Sequence, residues 1–166
     1  MNPDWQIFLS TQAISVNEGT ATQEFISDLS HLSIIEITGQ DAVEFLNGQF
    51  TINIKQLAKN HLQFSAWCNP KGQVKTTFFI YRHKSGFNIL LPAELKDSFL
   101  KQLQMYIMRA NVKLIDKSDV LVRVGIQTNN NKLLAESTGS LPEQEGGITI
   151  QKGLHCLHTL DRKSVV

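Results

Sequence analysis

The feature that most limits the fold of this chain lies between residues 62 and 91, where three strand-like runs are separated by two short turn signals. The first run, Leu62 to Cys68, sets Leu62, Phe64 and Ala66 against Gln63 and Ser65, the alternation of a half-buried strand. Asn69-Pro70-Lys71-Gly72 follows, a grouping of turn-forming residues. Gln73 to Arg82 is rich in β-branched and aromatic residues, Lys84-Ser85-Gly86 is a second turn, and Phe87 to Leu91 is the return strand. Connections this short join only antiparallel neighbours, so the segment predicts a three-stranded meander.

Upstream, Leu32-Ser33-Ile34-Ile35-Glu36-Ile37 reads as another strand, ended by Thr38-Gly39. Asp41 then stands at a helix N-cap position, Val43 and Leu46 form the apolar side of a helix from Ala42 to Asn47, and Gly48 provides its stop. Downstream, Pro92 suits a helix's first turn and Glu94 its positive end. Leu95, Phe99, Leu103 and Tyr106 or Ile107 recur at helical spacing through Ala110, with Arg109 and Lys113 at the negative end and Met105 and Met108 read as core. Val112 to Asp116 and Val120 to Ile126 read as one or two closing strands. This order predicts an α+β fold, an antiparallel sheet with two helices on one face, rather than a doubly wound sheet.

Residues 1–28 are polar and aperiodic and read as a lead-in, 29–126 as the domain, and 127–166 as the truncated start of a second subdomain. In that last part Leu133 to Ser137 reads as a short helix, Ser137 to Gly147 as a loop, and Ile148 to Leu160 as a strand or hairpin.

A chain of 166 residues, 42% hydrophobic and 19% charged, suffices for one globular domain. Its formal net charge of +1 argues against nucleic-acid binding by charge alone. Cys68 and Cys156 make no disulfide framework, the first 25 residues show no leader pattern, and no apolar run approaches the ~20 residues of a membrane helix. A reducing, cytoplasmic setting without membrane attachment is the expectation.

Several side chains carry a functional and a plain reading side by side. Cys68 is a pocket thiol at a sheet end or a small buried side chain. Trp67 stacks on a flat ligand or packs in the core. Lys55, Lys71, Lys75, Arg82 and Arg109 form either a basic groove for an anionic ligand or a solvated face. In His155-Cys156-Leu157-His158, Cys156 and His158 share a strand face, but two ligands do not close a zinc site, so no metal is expected. His31, His61 and His83 read as surface or turn residues.

Three stretches stand out together: Gly39-Gln40-Asp41-Ala42 leading to Phe45-Leu46-Asn47-Gly48-Gln49-Phe50-Thr51, then Asn69-Pro70-Lys71-Gly72-Gln73-Val74, then Tyr106-Ile107-Met108-Arg109-Ala110-Asn111-Val112. In this order they resemble the N-terminal half of the YgfZ family, a branch of the glycine-cleavage T-protein superfamily. Those sequences read approximately G-x-D-A-x-x-F-L-x-G-Q-x-T-x-D, then a cysteine or asparagine before P-K-G-R, then Y-x-x-R-x-K-V. The resemblance covers residues 29–126 well and 127–160 faintly. It implies a reduced folate, tetrahydrofolate or a derivative, as ligand, with Leu32, Gln49, Asn53, Trp67, Cys68, Lys71, Lys75, Tyr106 and Arg109 as candidate contacts. It also implies links to tRNA modification and to the assembly or repair of iron–sulfur proteins, whose enzymes become the expected partners.

The departures are equally specific. The T-protein carries an aspartate after the Gly-rich turn; Gln73-Val74-Lys75-Thr76-Thr77 has no carboxylate, and neither lysine nor hydroxyl replaces one as base, which argues against aminomethyl transfer. Asn53 stands where the family is acidic, and Leu32 where some members have a tryptophan. Lys152-Gly153-Leu154-His155-Cys156 matches the family's K-G-C-Y-x-G-Q-E signature only superficially. The chain thus reads as about half of a full member, with an apolar face that favours homodimerisation. Three functions compete: a folate-binding regulatory module, a folate-dependent aminomethyl- or methyltransferase, and a protein-interaction domain that has lost the ligand.

Overall fold

The computed structural model describes residues 2–11, 25–84, 86–127, 135–136, 142, 146–151 and 154–157. Along the chain, helix α1 (Pro3–Thr11) and strand β1 (Phe25–Asp28) precede β2 (Leu32–Thr38), α2 (Ala42–Gln49), β3 (Gln63–Cys68), β4 (Val74–His83), β5 (Gly86–Pro92), α3 (Lys96–Ile107), β6 (Lys113–Asp116) and β7 (Val124–Gln127). Strands β8 (Ile148–Gln151) and β9 (Leu154–Leu157) follow, and 3-10 turns lie at Ile54–Gln56 and Ala93–Leu95.

The meander β3-β4-β5 forms as its turn chemistry dictates, and β2 and β6 extend it to a five-stranded antiparallel sheet of order β3-β4-β5-β2-β6. Ile35 pairs with Ile89, and Ile89 with Ile80, so three isoleucines with no solvent exposure form one row across the sheet. On this face Ile37, Trp67, Phe78, Phe87 and Leu91 complete a core against Ala42 and Leu46 of α2 and Phe99, Leu103 and Ile107 of α3. The spacing of that last trio, four residues apart, is the apolar stripe that docks α3. Each such side chain contributes about 1.5–3 kcal/mol by leaving water.

The opposite face is also partly covered. Leu62, Tyr81 and Ile148 are buried there, with Phe79, Leu90 and Leu157 packed around them, so the β8–β9 hairpin lies on the main sheet. Burial on both faces explains a reversed phase in β3. Alternation set Leu62, Phe64 and Ala66 on the apolar side; Leu62 is buried, yet so are Ser65 and Trp67 on the other face, and Phe64 is 56% exposed. In a two-faced sheet, hydrophobic alternation alone does not mark the deeper face.

Other boundaries shift for local reasons. Asp41 makes no side-chain cap to α2; its carboxylate instead accepts from the Asn111 backbone N–H at 2.7 Å, joining the start of α2 to the segment after α3. Gly39 permits that approach, because at φ +126° a Cβ there would collide with the Asn111 carbonyl. Gly48 does not stop α2, which continues to Gln49 and ends where Phe50 takes its place between Phe78 and Phe99. Helix α3 ends at Ile107, short of Ala110, with Met108 at φ 43°.

Met105 and Met108 are not core: they are 64% and 87% exposed, since Met105 falls outside the Phe99–Leu103–Ile107 stripe and Met108 beyond the helix. The described parts of residues 1–28 include helix α1 and strand β1. Trp5 of α1 donates to Asp28 at 2.8 Å, and β1 pairs antiparallel with β7 as a separate ribbon. Of the helix expected at Leu133 to Ser137 only Ala135 and Glu136 are described, both helical, and most of the expected loop lies outside the described residues.

Candidate functional site

The strand register places Leu32, Cys68, Val74 and Pro92 at one end of the sheet and Thr38, His83, Gly86 and Lys113 at the other. The β3–β4 turn is built at the first end by Asn69, whose Oδ1 accepts from the backbone N–H of Lys71 at 3.0 Å and of Gln73 at 2.9 Å. Gly72, at φ +78°, completes it, and Lys71 projects from its exposed apex. Beside this turn, between β3–β4 and the start of α3, lies a cleft of about 120 Å³. Trp67, Thr76 and Phe99 form its base, and Lys75, Leu95, Ser98 and Gln102 its rim.

Trp67 is 5% exposed, held edge-on by Phe99 at 5.7 Å and by Tyr106 at 6.5 Å between ring centroids. It is a core side chain whose outer side Tyr106, itself 46% exposed, covers. Phe50 bridges to Trp67, which brings Gln49, half-buried at the end of α2, near the same region. Cys68 is half-buried beyond an irregularity in the β3–β4 register. The structure therefore gathers Gln49, Trp67, Cys68, Lys71, Lys75 and Tyr106 around one end of the sheet.

Three other candidates lie apart. Leu32 sits on the face opposite Trp67, because it alternates with Ile35 and Ile37, which share the Trp67 core. Asn53 serves its own backbone, accepting from Lys55 N at 3.1 Å to start the 3-10 turn. Arg109 is exposed in the segment that meets the start of α2, the end opposite Gln49.

The basic groove is not assembled as a unit. Arg82 donates to the Ile54 carbonyl at 2.8 Å and the Leu57 carbonyl at 2.7 Å, with its guanidinium 5.0 Å from the Phe87 ring centroid. Lys55 pairs with Glu44 at 2.8 Å. Lys71 and Lys75 remain as cations near the cleft.

Sequence reasoning missed Ser98 and Gln102, which face the cleft one helical turn apart and hydrogen-bond each other at 2.8 Å. Their i, i+4 spacing on the polar side of α3 was the available signal. A second, wider depression of about 480 Å³ is bounded by α3 residues alone, among them Asp97, Lys101 and Met105, and so has one wall. Neither hollow fits a folate by itself: ligand pockets typically enclose about 300–1,000 Å³ from several sides. Among the described residues no group of three or more His, Cys, Asp or Glu could hold a metal ion, and no helix is long and apolar enough to cross a membrane. His158 lies outside the described residues.

An antiparallel five-stranded sheet with two helices on one face, and a turn-edged cleft where the second helix begins, defines an α+β domain of the glycine-cleavage T-protein type. The fold matches the crystal structure of the glycine cleavage system aminomethyltransferase T from Bartonella henselae with a TM-score of 0.66, over 76% of this chain and 36% of that one. At 17% identity this is a likeness of fold. The chain belongs to the GCVT N-terminal domain family, which it matches over residues 10–142. Among curated proteins it is similar to the tRNA-modifying protein YgfZ of Vibrio atlanticus, 25% identical over 89% of this chain and 46% of the relative. The protein of the same name from Buchnera aphidicola is 32% identical over 57% of this chain and 30% of the relative. The chain thus spans less than half the length of the curated relatives it matches.

Proposed function

We propose that this chain is a folate-responsive module of a cytoplasmic tRNA-modifying protein of the YgfZ type, tied to the assembly or repair of iron–sulfur proteins, and not an aminomethyl-transferring enzyme. The observation that carries this reading is the similarity to a protein named tRNA-modifying protein YgfZ along 89% of the chain. The chemistry of the cleft supports its non-catalytic part. Base catalysis on a folate amine calls for a carboxylate within hydrogen-bond reach, and the rim offers Lys75, Ser98 and Gln102 instead.

In this reading the chain contributes one wall of a folate pocket. Lys71 and Lys75 attract the glutamate carboxylates, Tyr106 presents an aromatic surface, and polypeptide beyond the span shared with the relatives supplies the facing wall. A second reading, an interaction domain without ligand, is favoured by one observation: Trp67, the best stacking candidate, is taken up by the core.

The test is a titration of tetrahydrofolate, read by tryptophan fluorescence and calorimetry, against this chain and against a chain of the relatives' full length. The longer chain should bind saturably, and Lys71→Ala with Lys75→Ala should weaken that binding at least tenfold. Failure of the longer chain to bind would establish the ligand-free reading. Turnover of an aminomethyl donor above background would establish catalysis instead.

A further inference from the structure

On the sheet face away from the cleft, the β8–β9 hairpin is joined to the sheet by a polar contact that favours an uncharged imidazole. The hairpin is rooted at Asn60 to Leu62: Leu62 N donates to the Gly146 carbonyl at 2.6 Å, and Ile148 N to the Asn60 carbonyl at 3.0 Å. Ile148 and Leu157 cover Leu62, Tyr81 and Leu90. At the far side of this cover, His155 Nδ1 lies 2.8 Å from the hydroxyl of Tyr81, a side chain 1% exposed.

The donor count favours one arrangement of the protons. Asn88 Nδ2 donates to the Tyr81 oxygen at 3.0 Å, so the hydroxyl already serves as an acceptor there and its own proton is best used by a bare Nδ1 of His155. An imidazolium carries N–H at both nitrogens, so the buried hydroxyl would lose Nδ1 as the acceptor of its proton and would have to turn that proton away. The neighbours add to this. The His83 ring lies 4.4 Å from that of His155 between centroids, so two protonated rings would repel each other at short range.

We propose that the β8–β9 hairpin is a proton-released cover, closed on the sheet while His155 and His83 are neutral and opened when they take up protons, uncovering Leu62, Tyr81 and Leu90.

The charges facing this contact come from three elements. From β4, His83 and the buried Tyr81 hydroxyl face His155; burial, first of all, pushes Tyr81 up to about 12, so that group keeps its proton throughout. From the turn after β4, Lys84 adds positive charge that disfavours protonation of both rings. From β2, Glu36 pulls the other way on His83, but it is itself paired with Lys117 at 3.3 Å. For His155, burial and then His83 and Lys84 hold the imidazole below its ordinary range. For His83, burial and then Lys84 outweigh Glu36 in the same direction. Closure is therefore complete above the ordinary histidine value of about 6.5 and is lost as pH falls from there through the depressed values. Each unit of depression is tenfold in the closing equilibrium. The root carries a further titratable group, His61, whose exposed ring lies against Gly146.

The experiment is amide hydrogen exchange of the full chain at pH 7.5 and 5.5, corrected for the intrinsic rates, together with NMR titration of the histidine ring protons. Amides in 148–151 and 154–157 should lose on the order of tenfold protection or more on acidification while β4 and β5 keep theirs. His83 and His155 should titrate below 6.5, with midpoints that coincide with hairpin release. His155→Gln retains an acceptor for Tyr81 without titrating, and combined with His83→Gln it should abolish the pH dependence. Equal protection at both pH values, or ring titrations at or above 6.5, would overturn the proposal. So would pH dependence that survives the double variant and vanishes in His61→Gln.

Discussion

Replacing Phe99 by alanine tests the architecture at the point where the helix layer meets the sheet. Phe99 is 2% exposed and sits among three other rings, with centroids at 5.7 Å to Trp67, 5.9 Å to Phe78 and 6.3 Å to Phe50. These partners come from β3, β4 and the end of α2, so the cavity would be walled by rigid elements that cannot collapse into it. Truncation of a buried phenylalanine costs about 3–5 kcal/mol, and poor collapse favours the upper part of that range, about 4 kcal/mol. With a urea slope of about 2 kcal/mol/M, the midpoint should fall by about 2 M. The thermal midpoint should fall by roughly 8–16 °C, at 2–4 °C per kcal/mol for a chain of this size. Urea unfolding followed by tryptophan emission is the suitable assay, because Trp67 touches the substituted ring directly. Phe99→Leu, which keeps most of the volume, should cost less than about 1.5 kcal/mol. A midpoint change for Phe99→Ala below about 0.5 M would refute the reasoning, since it would mean that α3 does not dock on this face through Phe99.

Arg82→Ala should destabilise by about 2–4 kcal/mol in the same assay, as the carbonyls of the buried Ile54 and Leu57 lose charge-assisted donors. Arg82→Lys should recover only a minor part, because one ammonium cannot reproduce the fork. Met108→Gly should raise stability by about 0.5–1 kcal/mol, because a positive φ of 43° strains a side chain that is 87% exposed and makes little packing in return.

What could be read in the sequence followed the range of the forces involved. The meander was legible because Asn69 and Gly72 specify a turn locally, and α3 because Phe99, Leu103 and Ile107 repeat one periodicity. Met105 and Met108 misled because apolar character was taken for burial, when position relative to that stripe decides it. The phase of β3 misled because both faces of the sheet are covered, Trp67 on one and Leu62 on the other. Helix α1 was invisible because none of its residues is buried, so it has no apolar period to display. At the candidate site, Lys71, Lys75 and Trp67 were recognisable by type and by the neighbouring turn. Their separation from Leu32 and Arg109 depends on strand register and on which face each residue takes, neither of which a linear text contains. The contact between Tyr81 and His155 spans 74 residues and had no local signal.

Strand β2 sits between β5 and β6 in the sheet although it precedes both in the chain. During synthesis Ile37 therefore leaves the ribosome about fifty residues ahead of Phe87, its first neighbour. At roughly 10 residues per second the most apolar strand of the sheet waits about five seconds with both edges unpaired. Once β5 arrives, β2 must be drawn in alongside a meander already formed, and β6 can then add to its remaining edge. The nascent chain is thus most vulnerable to edge-to-edge association before residue 92 is made, which makes this early interval the natural point for a chaperone to engage it.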